Sequence, residues 1–377
     1  MVDLFGQHQK IKSELDFAIA STIASSVFIG GAAVEQFNER LQQRLQVKHV
    51  IGSANGTDAL QLALMALDLP QEAEVIVPDF TFVAPAEVVA LLGYKPVFTK
   101  VCNDTYHIQA AEIEKNISAN TKVIIVVHLF GQCADIQPIL ALAKKHNIYV
   151  IEDTAQSLGA TCQWQDGSLH YAGTMGHIGT TSFFPTKNLG GMGDGGAVFT
   201  QDSHLATRIQ TLANHGSVVK YSYQSVGINS RLDSLQAAIL NVKLNYFDQY
   251  LINRKTSATQ YFHHLSPCAF LKLPKKNVSR PSTFNQFTIQ TPHRDALKTY
   301  LQTQGIPSMV YYPSLLSSQQ AFSKWNNQIA GETSLHLCQS VLSLPMHTEL
   351  DEEQIAFICK NVLLGLEKLT ENKSTMH

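Results

Sequence analysis

Four segments of the chain carry residue types that could do chemistry together. Lys187 follows Ser182-Phe183-Phe184-Pro185-Thr186 at the exit of an apolar run and opens a loop, 187–196, that holds five glycines. A lysine partly withdrawn from water there has a lowered pKa, and its free amine can attack a carbonyl. Asp153 ends the run Val150-Ile151-Glu152-Asp153, where a carboxylate in low-dielectric surroundings can keep a ring nitrogen protonated. Gly52–Ala59 is a stretch of small residues just before an apolar helix, and free N–H groups at a helix start hold anions. Phe82, in Asp79-Phe80-Thr81-Phe82-Val83, can stack on a flat ring. Each has a plainer alternative: a surface lysine, an N-cap aspartate, an ordinary capped helix start, a core phenylalanine. A phosphorylated aldehyde cofactor needs all four at once: an imine-forming lysine, an acid for the ring nitrogen, a flat side chain over the ring and a cup for the phosphate.

The elements that must position these residues read as alternating helices and short buried strands. Gly56–Leu69 is apolar nearly all round, as in a buried helix. Strands are expected at 74–77, 123–127, 148–151, 180–184 and 197–200, and continuous Val/Ile runs among them fit strands covered on both faces. Pro85 can open a helix at 86–92, and 134–146 reads as a crossover helix. Strand, helix, strand in this order implies a mainly parallel sheet with active groups at strand ends. A long helical pattern at 231–264 leads to a smaller α+β region with strands at 284–289 and 309–312 and helices at 294–304 and 352–369. The spacing divides the chain into a large domain, 1–245, and a small C-terminal domain, 246–377.

Composition removes several function classes. Charged residues make up 15% of the 377 residues and the net charge is -2, so no basic excess points to nucleic acid or an anionic membrane surface. The six cysteines form no CxxC pair, and neither a zinc site nor a disulfide framework is expected. Apolar runs are too short to span a bilayer, and charges at Lys10, Lys12, Glu14 and Asp16 break any signal-peptide core, which leads to the expectation of a cytoplasmic protein without membrane or metal. The GxGxxG at Gly191–Gly196 is a weak dinucleotide fingerprint, because a strand rather than a long helix follows it.

Seven blocks in order resemble the DegT/DnrJ/EryC1/StrS family of nucleotide-sugar aminotransferases: SANGTDAL (53–60), PDFTFVAPAEVVALLG (78–93), VHLFGQCAD (127–135), IEDTAQSLGA (151–160), SFFPTKNLGGMGDGGAVFT (182–200), GINSRLDSLQAAIL (227–240) and VLSLPMH (341–347). The resemblance implies the fold-type I pyridoxal-phosphate (PLP) transferase fold: a large α/β domain with a mainly parallel mixed sheet between helices, and a small C-terminal α+β domain. It implies PLP as cofactor, with Lys187 as the Schiff-base lysine and proton carrier, Asp153 at the ring nitrogen, Gln156 at the phenolic oxygen and Phe82 over the ring. Gly56, Thr57 and Ser182 would contact the phosphate, and Asn229 would reach it from the neighbouring subunit of a homodimer. Arg231, Tyr311 and Tyr312 would meet the substrate. Related sugar 3-dehydratases carry histidine where Lys187 stands, so the resemblance favours amino transfer.

The implied reaction moves the amino group of L-glutamate to a keto sugar on a nucleoside diphosphate, for amino sugars of surface polysaccharide such as lipopolysaccharide O-antigen. The block wording is nearest to enzymes acting at C3, on a UDP-linked 2-acetamido-3-keto uronic acid or a dTDP-linked 3-keto-6-deoxyhexose. A 4-keto substrate, a PLP sugar dehydratase and a non-catalytic regulator with the same fold stand as alternatives. Pro85 departs from the small hydroxyl residue common in relatives, and Leu315 and Ser317 replace a proline and a histidine. His128 and His215 read as satisfied structural histidines.

Overall fold

The computed structural model describes residues 1–325 and 331–374. Its centre is a seven-stranded sheet built from β1 (His49–Ser53), β2 (Glu74–Pro78), β3 (Lys95–Thr99), β4 (Thr121–Val127), β5 (Tyr149–Asp153), β6 (Ile178–Ser182) and β7 (Gly196–Thr200), in the order β1-β7-β6-β5-β4-β2-β3. The run β3-β2-β4-β5-β6 is parallel. Parallel neighbours need a crossover, and helices Ala84–Leu91 and Ile136–His146 supply two of them. No helix lies between β6 and β7, so the chain returns antiparallel, and β1 pairs antiparallel with β7 in turn. This is the expected mixed, mainly parallel sheet. Val75, Ile76 and Val77 of β2 are fully buried, as are Val123 to Val126 of β4. Each such side chain contributes roughly 1.5–3 kcal/mol of transfer free energy.

Most expected elements are present with shifted ends. Helix Gly56–Ala66 stops three residues short of the expected Leu69. Asp68 takes a positive φ of 50° two residues before Pro70, a conformation a helix cannot run through. The expected helix 231–264 is two helices, Ser234–Asn245 and Phe247–Leu265, and Arg231 lies before the first. The strand expected at 309–312 is not formed: only Met309 makes an isolated bridge, to Ser343. The expected 284–289 strand is confined to β8 (Phe287–Gln290), because Phe284 has a φ of 50°. Its antiparallel partner is β9 (Val341–Leu344). Three N-terminal helices, Leu4–Lys10, Lys12–Ser25 and Ala32–Leu45, had no sequence assignment.

The main core spans the sheet and its helices, and it also takes in Leu315, Leu316, Phe322 and Leu337 from the C-terminal third. A second cluster gathers Tyr261, Phe287, Leu297, Leu342 and Val362 around β8 and β9. Phe247 and Tyr250 still pack against Phe183 and Leu240, whereas Ala258 onward packs in the second cluster. On this basis we propose that the division between the two domains, expected near residue 245, falls within helix Phe247–Leu265, between Tyr250 and Ala258. No helix among the described residues is long and apolar enough to cross a membrane.

One buried network fixes the end of β5. Glu152 and Asp153 are adjacent in the strand and point to opposite faces. The fully buried Glu152 carboxylate accepts N–H bonds from Gly173 (3.0 Å), Met175 (2.7 Å) and Gly176, and lies 2.8 Å from Nε2 of the fully buried His128. His128 Nδ1 accepts the Ala134 N–H at 3.0 Å, which leaves its proton on Nε2 for Glu152. The His128 N–H in turn donates to the Asp153 carbonyl at 3.0 Å. Removing the carboxylate strands four donors, two of them buried and two half-buried. Glu152→Leu should therefore lower the stability of the apoprotein by about 3–5 kcal/mol in a denaturant titration, the cost of breaking a buried pair. An unchanged midpoint and slope would show that the network does not hold the strand end.

Candidate active site

A cleft of about 590 Å³ opens at the C-terminal ends of β4, β5 and β6, where parallel strands leave room between their following loops. Its lining brings together Gly56, Thr57, Phe82, Asp153, Gln156, Ser182, Lys187, Tyr311 and Tyr312. Nine of the eleven residues singled out from the sequence thus share one cavity. Asn229 and Arg231 do not line it. Asn229 is exposed and bridges Asn214, and Arg231 donates from Nη1 to Asn214 Oδ1 at 3.3 Å.

Lys187 is half-buried, and its loop is held from several sides. Its N–H donates to the Phe184 carbonyl at 2.9 Å. The next residue, Asn188, is buried and donates from Nδ2 to the Leu158 carbonyl (3.1 Å) and Thr283 Oγ1 (2.8 Å). Its Oδ1 accepts from Asn285 Nδ2 at 3.1 Å. Further along, the Gly190 carbonyl accepts from the ammonium of the buried Lys243 at 2.6 Å. The Lys187 amine itself makes no hydrogen bond or salt bridge among the described residues. Burial lowers its pKa, and the negative charge of Asp153 pulls the other way. Asp153 mirrors this: burial raises its pKa, while the Ala155 N–H (2.8 Å to Oδ1) and the Lys187 charge lower it.

Helix Gly56–Ala66 points its N-terminus into the cleft wall. Asn55 caps it by accepting the Asp58 N–H at 2.8 Å, and the Ala59 N–H reaches the Asn55 carbonyl. The N–H groups of Gly56 and Thr57 precede the first intrahelical bond and have no helical acceptor. A Cβ at position 56 would stand 2.7 Å from Ser182 Cβ, so only glycine lets the helix start and the end of β6 approach this closely. The result is an anion cradle of two free N–H groups at the positive end of a helix, with the Ser182 hydroxyl beside it.

Gln156 is oriented at both ends. Its Oε1 accepts the Phe130 N–H at 2.8 Å and its Nε2 donates to the Tyr312 hydroxyl at 3.0 Å. Phe130 reaches that position with a φ of 59°. One Nε2 hydrogen remains free for an acceptor in the cleft. The Phe82 ring is 54% exposed although it lines a concave site, which leaves a face for a flat ligand. Two buried oxygens in the lining, Thr81 Oγ1 and Gln286 Oε1, have no protein partner. An orphaned buried acceptor costs about 1–3 kcal/mol unless a ligand or water meets it. Gln286 gave no signal in the sequence. Asn188 and Thr81 stood inside the quoted blocks without being singled out.

The departures are structural. Pro85 is buried in the first turn of Ala84–Leu91, and Leu315 is buried in the core. Ser317 bonds Asp79 and does not line the cleft. His215 sits at a φ of 60° with its N–H on the Ile228 carbonyl. No group of three or more His, Cys, Asp or Glu among the described residues could hold a metal.

The profile of the DegT/DnrJ/EryC1/StrS aminotransferase family matches residues 9–363, so the chain belongs to that family. It is 40% identical to UDP-2-acetamido-2-deoxy-3-oxo-D-glucuronate aminotransferase of Pseudomonas aeruginosa, over 95% of this chain and 98% of the relative. It is 42% identical to UDP-N-acetyl-3-dehydro-alpha-D-glucosamine 3-aminotransferase of Acidithiobacillus ferrooxidans, over 95% of each chain. Among solved structures, NtdA from Bacillus subtilis with bound cofactor PMP superposes with a TM-score of 0.87 at 28% identity, covering 95% of this chain and 82% of that one. The chain is an aminotransferase, and the family and this holo structure indicate pyridoxal phosphate as its cofactor. The cleft fits that group: it offers an anion cradle, a buried carboxylate, an unpaired amine and an uncovered aromatic face.

The opposing charges give a signed prediction. Asp153→Asn removes the charge that raises the Lys187 pKa, so in the apoprotein the pH midpoint for reaction of Lys187 with an amine-directed reagent should fall. A midpoint that stays put or rises would show that Asp153 does not act on Lys187.

Proposed function

We propose that this enzyme transfers the amino group of L-glutamate to the C3 keto group of a hexose carried on a nucleoside diphosphate. The product would be an amino sugar for surface polysaccharide such as lipopolysaccharide O-antigen. The observation that carries the reading is the single cleft in which Lys187, Asp153 and the Gly56–Ser182 cradle meet. Support for C3 comes from the two relatives, both named for 3-oxo or 3-dehydro UDP-sugars. Those names favour a UDP-linked 2-acetamido sugar, such as the 3-keto uronic acid, over a dTDP-linked 3-keto-6-deoxyhexose.

Bound pyridoxal phosphate supplies an electron sink for the carbanion left when a proton departs from carbon next to nitrogen. The protein's residues do the rest. In the donor half, Lys187 accepts the proton from Cα of glutamate; burial, by lowering its pKa, raises the share of free amine. In the acceptor half, Lys187 delivers a proton to the sugar carbon that receives nitrogen. Asp153 keeps the ring nitrogen protonated, and its own burial is offset by that cation. Gly56, Thr57 and Ser182 hold the phosphate, Phe82 covers the ring, and the free Nε2 hydrogen of Gln156 meets the phenolic oxygen. Tyr311 and Tyr312 close the substrate side of the cleft.

The proposal includes a cytoplasmic homodimer in which Asn229 and Arg231 serve the neighbouring subunit's site. Both residues stand outside their own cleft. Phe5, Phe17, Ile23 and Phe28 in the N-terminal region are exposed apolar side chains of the kind a second subunit covers.

The test is the visible spectrum of the purified protein loaded with PLP. L-glutamate should bleach the cofactor band, and a 3-keto UDP-sugar should restore it with formation of the amino sugar. A band indifferent to glutamate, or restored only by 4-keto sugars, would overturn the donor or the C3 assignment respectively. Lys187→Ala should fold as wild type and lose turnover entirely; appreciable remaining activity would remove Lys187 from its role.

A further inference from the structure

The carboxylate of Asp79 is buried, 5% exposed, and plays no part in the chemistry above. It stands directly after β2, two residues before Thr81 and three before Phe82. Its N–H donates to the Thr99 carbonyl at 2.9 Å, and its oxygens converge on one distant segment. Oδ1 accepts the Ser317 N–H at 2.8 Å, Oδ2 accepts the Ser317 hydroxyl at 2.8 Å, and the Asp79 carbonyl accepts the Leu316 N–H at 3.0 Å. Burial pushes the Asp79 pKa up, and these bonds pull it down.

The two joined segments each form part of the cleft wall. One carries Thr81 and Phe82, the other Tyr311 and Tyr312. Neither belongs to a sheet: residues 79–83 and 311–315 have no strand assignment. Besides the hydrogen bonds, the Tyr312 ring meets Phe80 edge-on at 5.9 Å. Phe80, Leu315 and Leu316 anchor the two segments in the core, and without a ladder it is such packing and the bonds above that decide how readily they open.

We propose that Asp79 and Ser317 form a latch that holds the Phe82 loop against the Tyr311–Tyr312 segment and so sets the width of the cleft. Both are positioning residues, since neither lines the cavity. A cleft that is competent only part of the time binds every ligand more weakly by that fraction, while saturating ligand pulls it shut. Loss of the latch therefore raises KM and spares kcat. Loss of folded protein does the opposite, lowering kcat at unchanged KM.

The kinetic readout rests on the transamination reading, and a second readout does not. Ser317→Ala deletes the hydroxyl bond and leaves the two bonds from the backbone N–H groups of Leu316 and Ser317. In the PLP-loaded protein it should raise KM for glutamate and for the keto sugar by the same factor, roughly tenfold for one charge-assisted hydrogen bond, with kcat little changed. Amide exchange read by mass spectrometry should speed up together in 79–84 and 312–318. Asp79→Asn can still accept from the Ser317 N–H and donate to its Oγ, and it should remain near wild type in exchange. A fall in kcat at constant KM would make Ser317 structural only. Faster exchange in 312–318 alone would show that the walls are not joined and would overturn the latch. Wild-type protein without transamination would sink the functional reading, and the exchange result would still decide the latch.

Discussion

The site depends on one electrostatic compromise. Burial works against the charge on Asp153 and against the charge on Lys187, and each partly offsets the penalty on the other across the cleft. An aspartate in water would gain little from a cationic ring nitrogen, and a lysine in water would stay protonated at neutral pH. The fold puts both near the low-dielectric sheet, one at the end of a parallel strand and the other on the loop between β6 and β7. Their separate backbones need separate support, and that explains the surrounding polar network. Glu152 and His128 fix the strand behind Asp153, and Asn188, Asn285 and Lys243 fix the loop around Lys187.

Much of this was legible in the sequence because it depends on local chemistry. Val/Ile runs of β4 and β5 read as covered strands, and Asp153 followed as a strand-end acid. The small residues at 53–58 read as a helix start, and the structure shows the cap on Asn55. Lys187 was identified with the help of its block, since a lysine beside glycines is ambiguous alone. What escaped was set by tertiary contact. The end of the 56–66 helix depends on a positive φ before Pro70. The expected 309–312 strand touches the free edge of β9 only at Met309, which bridges Ser343, and the chain leaves that edge after one residue. Gln286 enters the cleft only because the chain bends at Phe284, and Ser317 could not be assigned a partner without Asp79 in view.

The same comparison separates two kinds of site residue. Tyr311 and Tyr312 stand in their own cleft, next to Gln156. Asn229 and Arg231 came from an equally recognisable block, yet they stand apart and engage Asn214. Their separation from the cleft is what the proposed shared site of a homodimer requires.

The tether of Asn188 to Thr283 and Asn285 also orders events in time. The lysine loop is fastened by residues almost a hundred positions further along the chain, and the latch partner of the Phe82 loop comes later still. While the protein is being made on the ribosome, the strands flanking the cleft can pair early, but the loop that presents Lys187 lacks its Thr283 and Asn285 contacts until that downstream stretch emerges. Asn188 is thus without two of its three side-chain partners through most of synthesis, and the Lys187 loop gains its full set of contacts only late in maturation.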